Sequence, residues 1–153
     1  MKTISICTVA VALCGGPAFA RPEDGILEEL LAIERGAMDG WLKGDPDKFL
    51  STLDAEITYF HVMTRKRLEG LAAVKTLCEQ YRGRPLFDSY EITEPMVQVT
   101  GDVAVLTYQF STRNGAATAH WNATQVYKRN KEGWRVIHTH WSTTQPPPAQ
   151  PAR

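Results

Sequence analysis

The chain is short of cysteine, and more so than its three residues suggest. Cys7 and Cys14 both fall inside an apolar run at the start, leaving only Cys78 in the rest of the sequence. A lone thiol has no internal partner, so the domain must rest on its core and not on disulfides. An excess of one charge is missing too, since 17 Lys and Arg stand against 17 Asp and Glu. A nucleic-acid binder shows a basic excess or stripe, and the nearest feature here is the three-residue Arg65-Lys66-Arg67. No nucleic-acid partner is therefore expected. No second long apolar run follows the first, so no membrane association is expected once that segment is removed. A phosphate loop, a dinucleotide fingerprint, a Ser–His–Asp set and a paired zinc signature are all absent. Neither a cofactor nor a metal is expected.

What is present fits one globular domain: 153 residues, 43% apolar and 22% charged. That apolar share, with no net charge, excludes a disordered chain. Residues 1–20 have the layout of a secretory signal peptide: Lys2, an apolar run from Ile4 to Cys14, a Gly15-Gly16-Pro17 break, then Ala18-Phe19-Ala20. Cleavage after Ala20 is favoured over lipidation at Cys14, where Leu13 is too bulky. The mature domain is expected at 21–144, exported to the periplasm or secreted. Residues 145–153, rich in proline, read as a disordered tail outside the core.

Within the domain, Ile26, Leu30, Ile33, Ala37 and Trp41 form one helical stripe over 23–43. Asp45-Pro46 predicts a short second helix to about Leu53, with Asp45 as N-cap and Pro46 in the first position. Residues 56–62 read as a strand, 65–69 as a polar connection, and 70–82 as a helix through Leu71, Val74, Cys78 and Tyr81. Period-two patterning then predicts strands at 87–100, bulged or kinked at Pro95, and at 103–113, 117–128 and 134–143. Helices first and an antiparallel meander last make an α+β domain. Both faces of 103–113 are apolar, which predicts a second copy covering one of them, as in a homodimer. Spacing alone leaves open which face lines an internal pocket.

The unusual side chains gather late in the chain. His138 and His140 share one strand face, where two imidazoles could act as acid or base, sit structurally in a core or interface, or share a metal with His61 or His120. No carboxylate or cysteine cluster supports the metal. His61 ends the first strand on the same face as Tyr59 and could move a proton near neutral pH. Trp121, Ala123, Gln125 and Tyr127 share a face and would make either a pocket wall or an aromatic core. Cys78, on an apolar helix face, reads as a small buried hydrophobe. Asn122-Ala123-Thr124 matches a glycosylation acceptor but falls inside a predicted strand.

Several segments resemble the SnoaL-like branch of the nuclear transport factor 2-like superfamily over about residues 26–144. They are Trp41-Leu42-Lys43-Gly44-Asp45-Pro46-Asp47, Ile57-Thr58-Tyr59-Phe60, Arg67-Leu68-Glu69-Gly70-Leu71-Ala72-Ala73-Val74 and the ending 133–142. That ending, with His138-Thr139-His140-Trp141-Ser142, is also similar to the His-x-His-x-Ser strand of the calcium/calmodulin-dependent kinase association domain. The resemblance implies a cone, in which a curved antiparallel sheet wraps a long helix around a pocket, and often a dimer through the sheet's outer face. It spans ketosteroid isomerase-like enzymes, dehydratases and non-catalytic binders, so it does not name a reaction. The side chains expected to meet a small ligand are Trp41, Tyr59, Tyr108, Phe110, Trp121 and Gln125, with His61, His138 and His140 as candidate catalytic groups. Two departures matter. Isomerase-type relatives place an Asp base just after the first-strand phenylalanine, where this chain has Phe60-His61-Val62. The kinase domain's pocket arginines fall at Phe110 and Gln125, which implies a preference for neutral or weakly polar ligands over carboxylates. The alternative is a non-catalytic dimerisation or interaction module.

Overall fold

The computed structural model describes residues 22–144, so the expected signal peptide and proline-rich tail lie outside the described residues. Helix α1 (Pro22–Trp41) is the first described element. Proline there forfeits no helical hydrogen bond, and Glu23 and Asp24 in the first turn suit the helix dipole. Its inner stripe is Leu30, Leu31, Glu34, Ala37, Met38 and Trp41, all buried. One member of that stripe is an acid. After α1 the chain turns through Gly44 at φ 68°. The Gly44 carbonyl accepts the Gly83 N–H at 2.8 Å, and a Cβ at Gly44 would stand 2.5 Å from the Arg84 nitrogen. Only glycine fits an approach that close in that conformation.

Helix α2 (Asp47–Leu50) starts after Pro46, one residue later than the sequence reading placed it, and ends earlier. Asp45 nonetheless caps the turn, its Oδ1 accepting the Asp47 N–H at 2.9 Å. Strand β1 (Leu53–Phe60) follows, then the two-residue β2 (Leu68–Glu69) within the expected polar connection, then α3 (Leu71–Glu79). The meander is β3 (Ser89–Thr100), β4 (Val103–Asn114), β5 (Ala117–Asn130) and β6 (Gly133–Thr143).

These strands form one curved six-stranded sheet in the order β2-β1-β6-β5-β4-β3. The α+β class holds, but the sheet is mixed and not wholly antiparallel, because β1 runs parallel to β6. The reason is topological. The direction of β6 is fixed by the meander, and the long excursion through α3 and three further strands supplies the crossover that a parallel pair needs.

Two bulges shape the meander. Between Thr93 and Met96, β3 carries one residue more than β4, with Glu94 at φ 51° and Pro95 beside it, where the missing N–H foretold a break. The second lies between Val136 and His138, where Tyr127 pairs with Val136 and Val126 with His138. An extra residue there reverses the facing of everything after it. Trp134 and Val136 point inward before the bulge, and Thr139 does so after it. The inner face is completed by Ala104, Leu106, Tyr108 and Phe110 of β4 and by Ala123, Gln125 and Tyr127 of β5, all buried against the helices.

Candidate functional site

The helices do not fill the cone. A cavity of about 300 Å³ remains between the helices and the sheet. Met38 and Trp41 of α1 and Phe49 of α2 form one wall, with Leu77 and Cys78 of α3 beside them. Tyr59, Phe110, Trp121 and Trp141 face them from the sheet, and His61, Val62, Met63 and Leu86 stand on the loops around it. The rings interlock at edge-to-face angles: Trp41 with Tyr81 at 6.5 Å, Phe49 with Tyr59 at 6.4 Å, and Phe110 with Trp141 at 5.2 Å between centroids. Such pairs hold their geometry beyond simple burial, so the walls are preorganised. Val62 and Met63 are exposed and leave the rim apolar.

Polar groups on this wall are few. His61 lies just past β1, its ring edge-on to Tyr59 at 5.1 Å. Its Nδ1 accepts the Met63 N–H at 3.2 Å, which puts the proton of the neutral ring on Nε2. Burial pushes its pKa below the ordinary value of 6.5, so the ring is neutral at neutral pH. Burial also raises the Tyr59 hydroxyl far above its ordinary range and pushes the Cys78 thiol up to about 12. Cys78 is thus the inert buried residue its helix position suggested. The Trp121 indole N–H is buried without a hydrogen-bond partner among the described residues.

Beneath the cavity lies a polar cluster that the sequence did not reveal. Glu34 is 4% exposed. Its Oε2 accepts the Tyr108 hydroxyl at 2.7 Å and the Gln125 amide at 3.5 Å, and its Oε1 accepts the Tyr127 hydroxyl. Burial raises the Glu34 pKa, against the lowering effect of the two tyrosine hydroxyls. Gln125 Oε1 and the Thr139 hydroxyl, at facing register positions of β5 and β6, are buried without a hydrogen-bond partner among the described residues. The available signal was an acid four residues before Met38 and seven before Trp41, on the stripe's own spacing.

Of the residues expected to meet a ligand, Trp41, Tyr59, Phe110 and Trp121 line the cavity. Tyr108 and Gln125 sit deeper, on Glu34. Among the candidate acid–base groups only His61 lines the cavity. His138 and His140 stand on the outer face with the 46%-exposed Phe60, whose ring lies 5.7 Å from each imidazole. His138 Nδ1 is 2.8 Å from the Thr58 hydroxyl. Among the described residues no three His, Cys, Asp or Glu gather as a metal site would require.

The family model of the calcium/calmodulin dependent protein kinase II association domain matches residues 27–145, most of the chain. The chain belongs to that family. Among solved structures, this association domain is similar to a protein of Parabacteroides distasonis provisionally named a ketosteroid isomerase, at 30% identity and TM-score 0.70, covering 79% of this chain and 89% of that one. It also shares its fold with a nuclear transport factor 2-like protein of unknown function from Pseudomonas putida, at 21% identity, TM-score 0.70 and coverages of 84% and 94%. The calcium/calmodulin dependent kinase II hub of S. rosetta is similar at 22% identity and TM-score 0.63, covering 86% of this chain and all of that one. No curated protein matches the association domain. The comparisons show the nuclear transport factor 2-like cone fold.

Proposed function

We propose that this protein binds a small, largely apolar molecule in the aromatic cavity. The observation that carries the reading is the cavity itself, about 300 Å³ with Trp, Tyr and Phe walls and few polar groups. That is the size and composition of a small-molecule site, in which apolar surface supplies affinity and a few polar groups fix orientation. His61 is the group placed to exchange a proton with the bound molecule, which would make the reaction a proton transfer, hydration or isomerisation. Export to the periplasm or beyond follows from the first twenty residues and belongs to the same proposal.

A direct test uses naphthalene as a neutral probe and the cavity tryptophans as reporters. Quenching that saturates in the wild type and weakens at least tenfold in Leu77→Phe, which narrows the cavity, supports the reading. Affinity unchanged by that substitution contradicts it.

A second reading is favoured by the outer sheet face and by the relatives named as hubs. There Phe60, His138 and His140 cluster beside the half-buried Val105 and Val126. In that reading the protein is a self-associating module, at least a homodimer, and the outer histidines are interface residues. Phe60→Glu is then expected to release monomers in sedimentation, and an unchanged assembly would count against this face.

A further inference from the structure

Aromatic rings from the helices and from the sheet line the cavity, and the electron-rich face of such a ring attracts cations and repels anions. No Lys or Arg stands among the residues that line the cavity. The ionisable groups on the wall also carry no charge at neutral pH: His61 is held neutral by burial, and Tyr59 and Cys78 keep their protons. One buried acid lies close by. Glu34 precedes Met38 by four residues and Trp41 by seven on the same helical face, which places it about one turn, roughly 6 Å along the axis, from Met38 and about two turns, roughly 10 Å, from Trp41. Between Glu34 and the cavity lies Tyr108, whose hydroxyl bonds Glu34 and whose ring stands 5.9 Å from Trp141. The partners of Glu34 are all neutral donors: Tyr108, Tyr127 and Gln125. A buried carboxylate without a cation is unfavourable unless it is protonated or a positive charge approaches.

We infer that the cavity takes an organic cation, a quaternary or protonated amine on an apolar body, with the aromatic rings facing the charge and Glu34 as the counter-charge beneath them. The inference rests on the ligand-binding reading above and names the chemical class of that ligand. Its geometry divides the work. The rings supply shape and quadrupole, and the carboxylate supplies a field that an uncharged molecule of the same shape does not feel. An anionic ligand would meet both with the wrong sign.

The test compares benzyltrimethylammonium with its uncharged carbon isostere, neopentylbenzene, by calorimetric titration of the full-length chain and of Glu34→Gln. The cation is expected to bind the wild type at least tenfold more tightly than the isostere, with the ratio falling toward one in the variant. Equal affinities, or a tighter isostere, overturn the inference while leaving a naphthalene-binding cavity intact. A ratio that survives Glu34→Gln overturns the role of the carboxylate. Failure of naphthalene and of both probes to bind overturns the ligand-binding reading itself. Should Glu34→Gln not fold, the wild-type ratio still decides the ligand class. Trp141→Leu, which removes one aromatic wall, is then expected to lower cation affinity more than isostere affinity, and an equal loss overturns the ring contribution.

Discussion

Glu34 occupies a place where water does not reach, and its titration is therefore coupled to folding. Its pKa is raised above 4.5 in the native state, so between that ordinary value and the native one the folded chain holds more protons than the unfolded chain. The Glu34 contribution to stability is complete below pH 4.5 and is lost as pH rises through the native pKa. Glu34→Gln removes this dependence. Urea midpoints at pH 4 and pH 8 should show the variant gaining on the wild type with rising pH, and a difference independent of pH would contradict the assignment. His61 behaves in the opposite sense. Its pKa is lowered from 6.5, so stability from this group is present above 6.5 and lost as pH falls toward the native value. An NMR titration of its ring should give a midpoint below 6.5, whereas a midpoint at or above 6.5 would mean the ring is not desolvated against the cavity.

Elements set these side chains by facing, and facing was only partly legible in the sequence. Helical stripes and period-two strands located α1, α3 and the meander, since amphipathic spacing is a local property. Pro95 announced the β3 bulge because a residue without an N–H cannot join a ladder. The β6 bulge near Ile137 has no such marker. His138 and His140 shared a face as their spacing required, yet the reversal put that face outside. Nor could spacing show that Tyr108, Tyr127 and Gln125, 74 to 93 residues beyond Glu34, would converge on it. The parallel β1–β6 pair was hidden for the same reason, being a contact between distant segments. Gly44 gives a local check. Its positive φ and the 2.5 Å approach to the Arg84 backbone make Gly44→Ala cost more than about 1 kcal/mol. Gly101, also at positive φ but with open space around its Cα, should lose less as Ala. Equal losses in thermal unfolding would show that the approach between the α1 end and the loop after α3 is not tight.

For the molecule as a whole, the two faces of the sheet carry the two proposals. The inner face encloses the helices and the cavity, and the outer face, with Phe60 and its two flanking imidazoles, is free to meet another copy. The two proposals are compatible, since one concerns what the cone holds and the other what it stands against. They also share one readout. Native mass spectrometry of the chain purified from its native host reports processing, assembly and cargo together. The expected spectrum shows cleavage after residue 20 and an assembly of at least two copies. It also carries an added mass of a few hundred daltons per chain, which disappears on denaturation. An apo spectrum that stays apo after incubation with small apolar molecules would contradict the central claim that the cavity is a ligand site.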